Sequence, residues 1–396
     1  MHNQGEMGFR GQAFFMPVLL ISAEHLTLAD KVRLVNWGLV VLIVALGGIG
    51  IGLLYSAGGE SWRPWAGPQG VRFLVGLVGM LALALVDVRI WLRLAYPLYG
   101  VMMGMLVLVE VMGHIGMGAQ RWIDLGVFVI QPSELMKITL VLALARYFHG
   151  LEDEEIGRLS RLVPPVLMVL APVGLVLLQP NLGTSLLLIL TSAALFWGAG
   201  VRVWVFLVAL GLGLVSLPVA WHHLHDYQKA RLMTFVNPEA DPLGAGYNIL
   251  QSKIALGSGG LFGRGFGQGT QSQLQFLPEK HTDFIFVVLA EEWGLVGAVA
   301  LLLLYAGLLA YGFAIALSCR NLFGRLAALG LTATFFLYVL ANVGMVSGLL
   351  PVVGIPLPLV SYGGTAMMTL LLGCGLLLGI SIHRDVRISR TGISTS

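Results

Sequence analysis

Residues 35–57 read VNWGLVVLIVALGGIGIGLLYSA, an apolar run without a charged side chain. A helix of about 20 residues, rising 1.5 Å per residue, crosses a hydrocarbon layer of about 30 Å. The run therefore predicts a membrane span, and the pattern recurs. Similar runs at 70–86, 94–113, 132–149, 162–179, 183–200, 203–221, 284–316, 325–347 and 362–383 bring the candidates to ten. Composition agrees. Of 396 residues, 57% are hydrophobic, 52 are Gly and only 11% are charged, where an average soluble protein carries about 25% charged residues. Mean hydropathy is +0.87. A water-soluble globule could not cover itself with so few charges, and disordered, collagen-like and disulfide-scaffold classes are excluded with it. The expected fold is all-α: a polytopic membrane protein with ten transmembrane helices.

Orientation follows from Lys and Arg in the loops. With the N-terminus inside, fourteen fall in inside loops and nine outside. Five of the nine lie in one loop, 222–283, too long to count fully under the rule. Both termini are thus expected in the cytoplasm, and residues 222–283 form a large extracytoplasmic loop between helices 7 and 8. The implied organisation is a lead-in over 1–34, a membrane domain over 35–383 and a tail over 384–396. Within the loop, residues 247–256 read as a short interfacial helix, and 257–269 (GSGGLFGRGFGQG) must turn repeatedly. The lead-in has a faint signal-peptide look, with Arg10 before apolar 13–21 and Ser22-Ala23, but Pro17 and Glu6 speak against it. An amphipathic lead-in, or a start at Met7 or Met16, is the competing reading.

Ionisable residues at membrane depth cost about 2.5–3.5 kcal/mol each on insertion scales and are functional candidates by default. Glu110 stands near the end of the third run, and Glu291 and Glu292 lie inside the eighth, where Gly294 and Gly297 are bend points. Glu134 and Lys137 open the fourth run three residues apart, so they share a helix face. They form either a structural ion pair or the charged wall of an outward cavity. Asp283 opens the eighth run, after Lys280 and His281. It is either a helix cap or a carboxylate at the water–lipid border, suited to act as a general base on a substrate with a polar head and a lipid tail. Arg121, beside Trp122, either anchors the interface or binds phosphate.

Other features read more plainly. His222, His223 and His225 have no second ligand cluster and suit an interface better than a metal. The glycines at 263, 265 and 267 neither follow a strand nor open a helix, so a nucleotide loop is rejected. The Glu152–Glu155 run reads as a solvated loop. Cys319 and Cys374 are two free thiols. The net charge of +3 is small, and no nucleic-acid partner is expected.

Four blocks resemble the shape, elongation, division and sporulation (SEDS) family. They are Gly118-Ala119-Gln120-Arg121-Trp122 with Gln131-Pro132-Ser133-Glu134-Leu135-Met136-Lys137; Gln179-Pro180-Asn181-Leu182-Gly183-Thr184; the loop from Asp241-Pro242-Leu243-Gly244 to His281-Thr282-Asp283-Phe284; and Pro356-Leu357-Pro358-Leu359-Val360-Ser361-Tyr362-Gly363-Gly364. Thr270-Gln271-Ser272-Gln273-Leu274 and Asn342-Val343-Gly344-Met345 look like the elongation branch, whereas the division branch has a Thr-Lys-Gly where Val352-Val353-Gly354 stands here.

The resemblance implies a peptidoglycan glycosyltransferase of the cytoplasmic membrane acting on lipid II. Asp283 would be the essential aspartate, and a class B penicillin-binding protein of the elongation complex the partner. The family more often has Asp where Asn181 stands, so a divalent cation, the one candidate cofactor, would find one anionic ligand fewer. Asn181 can still offer its carbonyl oxygen to a cation or a sugar. In the expected mechanism Asp283 takes the proton of the attacking sugar hydroxyl, Arg121, Lys137 and Lys280 stabilise the leaving pyrophosphate, with Lys137 held by Glu134, and the glycine-rich loop 257–269 lets backbone approach the sugars closely. A lipid II flippase and a non-catalytic scaffold are the rival readings. The charges gather towards the outer half of the spans, which favours surface chemistry over transit.

Overall fold

Asn36 opens the first long helix: Leu39 N–H donates to Asn36 Oδ1 at 3.2 Å, satisfying one of the donors that a helix start leaves free. In the computed structural model the described residues are 27–389, apart from 113, 117–118, 125, 127–128, 224–225, 238–245, 270–278 and 387. Most of residues 1–34, the end of the tail, Gly118, His225, the 241–245 block and Thr270 to Leu274 fall outside them.

The helices are α1 (Leu28–Leu34), α2 (Trp37–Ala57), α3 (Gly67–Ala84), α4 (Val88–Met112), α5 (Pro132–His149), α6 (Asp153–Ile156), α7 (Leu159–Leu178), α8 (Leu182–Ala199), α9 (Val203–His223), α10 (Asp226–Val236), α11 (Tyr247–Ser258), α12 (Ile285–Ser318), α13 (Leu322–Val346) and α14 (Gly364–Ile382). Eight are long and apolar enough to cross a membrane: α2, α3, α4, α7, α8, α12, α13 and α14. The count of ten is therefore not reached by that measure. The two remaining candidates are helices of another kind. Helix α5 carries Glu134, Lys137 and Arg146 and is buried on nearly every face. It is shielded by protein, so it can hold charges that lipid would reject. Arg146 donates to the carbonyls of Leu92 and Arg93 at 2.9 Å each. Helix α9 is apolar over Val203–Val219 among the described residues, just short of that measure.

The helical expectation holds for nearly all the described residues, with one short exception. Between α4 and α5 stand three short antiparallel strands, β1 (His114–Gly116), β2 (Ala119–Asp124) and β3 (Val129–Ile130), with an irregularity between His114 and Ile115. Glycines at 113, 116, 118 and 126 deny this stretch a helix, and the ladder pairs backbone groups that would otherwise want partners.

Helices α5 and α13 form the buried heart, with α13 packed on α5, α8 and α12 and α14 packed on α3. Helix α12 is two helices in series. Gly294 adopts φ 66°, ψ −163° and breaks it, at one of the two glycines the sequence marks as bend points. The peptide groups freed by the break are taken up by the glycine-rich loop that follows α11: Arg264 N–H donates to Glu291 O and Gly265 N–H to Glu292 O, both at 3.0 Å. In return Leu295 N–H reaches Gly260 O at 2.9 Å and Val296 N–H reaches Leu261 O at 3.1 Å. Broken backbone near a membrane is tolerated when protein satisfies it in this way.

Candidate active site

Asp283 lies in a tight turn just before α12. The cap of that helix is Phe284, with no side-chain cap hydrogen bond, so capping does not account for the aspartate. The turn is fastened residue by residue to the segment between α13 and α14. Tyr362 N–H donates to His281 O at 2.8 Å. Ser361 Oγ donates to Thr282 O at 2.5 Å and accepts from Leu357 N–H at 2.8 Å. Asn342, wholly buried in α13, donates from Nδ2 to Asp283 O at 2.9 Å and to Ile355 O at 2.7 Å. On the other flank His281 stacks on Trp65, with centroids 4.5 Å apart and planes 13° from parallel, and Gln69 Nε2 holds Ser361 O at 2.9 Å.

The carboxylate faces Gly354. A Cβ there would stand 3.4 Å from Asp283 Oδ2, and the glycine has φ 71°, a backbone state that L side chains rarely adopt. The residues just before it, Pro351 to Val353, line a cavity of about 50 Å³ with Arg121, Asn181, Gln228 and Arg231. Asp283 thus faces the glycine that follows Val353 in the chain, one residue beyond the lining of a small hollow that holds two guanidiniums, and the Arg231 charge reaches it. Burial raises its pKa to about 6, the Glu279 carboxylate adds to the rise and Arg231 opposes it. Burial lowers the pKa of Lys280, with Glu292 pulling the other way. Burial also lowers that of His281, opposed by Glu279 and assisted by Lys280.

The six residues singled out in the sequence are not all brought together. Arg121 lines the hollow, and its guanidinium also donates to Gln179 O at 3.0 Å and Pro180 O at 2.6 Å. Asn181 lines the hollow and caps α8, accepting from Thr184 N–H at 3.3 Å. Lys280 is buried beside Glu292. Glu134 and Lys137 are buried in a closed triad with Tyr338: Lys137 Nζ donates to Glu134 Oε1 at 2.6 Å and to the Tyr338 hydroxyl, which donates to Glu134 Oε2 at 2.7 Å. Their neighbouring void is only about 20 Å³. This arrangement is a packed ion pair pinning α5 to α13, not an open charged wall.

Three residues were not singled out from the sequence in this role. Gln228 and Arg231 stand three apart on α10, hence on one helix face, a spacing from which the sequence reading drew nothing. Asn342 gave no local signal, because its partners lie 59 and 13 residues away. The glycine-rich loop also differs from expectation. A Cβ at Gly259 would meet Ala290 O at 2.0 Å and one at Gly263 would meet Glu292 O at 2.1 Å, so these glycines admit the α12 backbone rather than a sugar.

Among the described residues no three His, Cys, Asp or Glu side chains gather as a metal site, and Asn181 Oδ1 is engaged as a cap. The described side chains do not compose a protein cage for a divalent cation.

The cell cycle protein family model of FtsW, RodA and SpoVE matches residues 29–386. The peptidoglycan glycosyltransferase MrdB of Escherichia coli K12 is 45% identical over 361 residues, 91% of this chain and 96% of its own. Two solved structures are similar in fold. One, described as "Structural coordination of polymerization and crosslinking by a peptidoglycan synthase complex", superposes with TM-score 0.76 at 36% identity, covering 89% of this chain and 98% of that one. The other, the rod shape determining protein RodA of Thermus thermophilus, gives TM-score 0.68 at 34% identity, with coverage of 89% and 98%.

Proposed function

The chain belongs to the FtsW, RodA and SpoVE family of cell cycle proteins and is a multi-pass membrane peptidoglycan glycosyltransferase, and from that premise we propose that Asp283 is its general base. The substrate in this reading is lipid II, whose polymerisation serves cell-wall elongation. The acceptor sugar's hydroxyl gives its proton to Asp283 as its oxygen bonds to the donor's anomeric carbon. The bond from that carbon to the lipid pyrophosphate breaks, and the electron pair leaves with the phosphate. Inversion at the donor carbon follows from a single displacement.

The observation that supports this reading is that the Asp283 carboxylate faces Gly354, next in the chain to the lining of the hollow that holds Arg121 and Arg231, and feels the Arg231 charge. A base must be deprotonated when substrate arrives yet basic enough to accept a proton, and a pKa of about 6 suits that duty near neutral pH. Arg121 and Arg231 are the cations best placed for the developing phosphate charge. The hollow is too small for a disaccharide, so the sugars lie beyond it, towards Asp283. Lys280 acts through its neighbours, and Glu134 with Lys137 keeps α5 in register. No step is routed through a metal ion.

The same reading places both termini in the cytoplasm, gives α5 and α9 as the fourth and seventh of ten spans, and sets residues 222–283 on the opposite side with the site. The partner is a class B penicillin-binding protein, a reading supported by the resemblance to a synthase complex that polymerises and crosslinks. The test is polymerisation of lipid II by the purified chain, alone and with that partner. Asp283→Asn should abolish polymer while leaving the folded protein intact. Normal polymer from that variant would refute the assignment.

A further inference from the structure

The glycine-rich loop carries large apolar side chains that are largely exposed: Phe262 is 80% exposed, Leu261 62% and Phe266 43%. Two independent rulers give the height of this loop. The first is α2, whose 21 residues span about 31 Å, close to the thickness of the hydrocarbon layer. Its penultimate residue, Ser56, donates to Glu292 Oε1, and the Glu292 carboxylate also accepts from the Gly267 backbone. The loop is thereby tied to the end of α2. The second ruler is α12. Beyond the break at Gly294 the remaining helix, residues 295–318, runs about 36 Å, enough to cross a bilayer unaided. The loop's hydrogen bonds to residues 291, 292, 295 and 296 straddle that break. Both rulers set the loop at the membrane border.

Beside it runs an exposed apolar strip of α12: Trp293, Leu295, Val296, Val299 and Leu303. The strip belongs to a helix long and apolar enough to span, so lipid covers it. Leu261 is joined to the strip by its carbonyl's bond to Val296 N–H, and Phe266 shares a cleft with Trp293. The loop's side chains therefore continue a lipid-facing surface at its edge. In water such a patch invites aggregation, whereas at a bilayer edge aromatic groups sit at headgroup level.

We propose that the Leu261-Phe262 tip, with Phe266, inserts into the lipid leaflet at this border and anchors the glycine-rich loop to the bilayer. The partner is the membrane itself, meeting the loop through its acyl and headgroup region. Through Ser56 and Glu292 the anchor also fixes the height of the α12 start, and with it of Asp283.

The test uses the full chain in phosphatidylethanolamine–phosphatidylglycerol vesicles. Cys319 and Cys374 are replaced by Ala, and a nitroxide is attached through Phe262→Cys. Collision rates with oxygen and with a water-soluble nickel chelate report depth. Leu303→Cys supplies the lipid reference and Glu154→Cys the aqueous one. The expected result is an oxygen-to-nickel ratio several-fold above the Glu154 reference and approaching that of Leu303. A ratio equal to the Glu154 reference would overturn the proposal. Low collision rates with both reagents would also overturn it, because the tip would then be covered by protein. Leu261→Cys, read in the same way, gives a second position if the first label perturbs the loop.

Discussion

Asn342 clamps Asp283 without touching its carboxylate: one amide nitrogen holds the carbonyl of Asp283 at 2.9 Å and that of Ile355 at 2.7 Å. The clamp joins the turn bearing the base to the segment whose Gly354 faces that base. Leucine is close in size but donates nothing, so Asn342→Leu frees both carbonyls. Misplacing a reacting group by about 1 Å can cost about 10²-fold in rate. The expectation is a fall in kcat of about that order with KM little changed, measured by lipid II turnover. Asn342→Leu with wild-type kcat would show that the clamp does not position the base.

The pH profile should report the carboxylate directly. With a pKa raised to about 6, turnover should climb as pH rises through 6 and level off above it. Glu279→Gln removes a charge that raises this pKa, so the midpoint should fall. Removing Arg231 takes away the opposing cation, so Arg231→Gln should raise it. The sign for stability is fixed too. Because folding raises this pKa, the folded state binds the extra proton between the ordinary carboxylate value and 6, and stability declines as pH rises across that window. A midpoint unmoved in both variants would remove Asp283 from the titration.

How much of this was legible beforehand depends on the range of the interactions. The spans at 35–57 and 325–347 were plain, because lipid leaves a local signature of unbroken apolar length. The break at Gly294 was also local, since one glycine in a long apolar run marks it. Asp283 stood out as a charge at a span's edge. The short strands at 114–130 were hidden because two to six residues carry no usable period. The burial of Lys137 was hidden because Tyr338, its second partner, lies 201 residues away. The fate of Gly259 and Gly263 was misread for a related reason. Permissive backbone shows in sequence, but the object that approaches it does not.

The Lys137 triad makes a prediction about stability. Removing one member of a buried pair leaves a charge without compensation and costs about 3–5 kcal/mol. Lys137→Met should therefore lower the melting temperature strongly in detergent, because Glu134 is buried with it. Adding Glu134→Gln should restore much of the loss, since the neutral amide can still accept from Tyr338. A double variant no more stable than Lys137→Met would mean that the triad holds α5 to α13 by packing and not by charge.

The loop and the α12 break fit together only through glycine. A Cβ at Gly294 would come within 2.4 Å of Gly263 N and 2.5 Å of Leu261 O, and one at Gly263 within 2.1 Å of Glu292 O. Both glycines also have positive φ, 66° and 80°, which an alanine adopts only with strain. Each obstacle is backbone, with no flexible side chain to give way. Gly263→Ala should expel the loop from the break while the helices remain, exposing residues 259–267 to protease in vesicles. Gly260→Ala is the control: its φ is also positive, 56°, but a Cβ there meets nothing within 4 Å. It should bring local strain without expulsion, so its cleavage rate should stay near wild type. Equal cleavage of the two variants would mean that backbone strain, and not the close approach to α12, governs the docking of the loop.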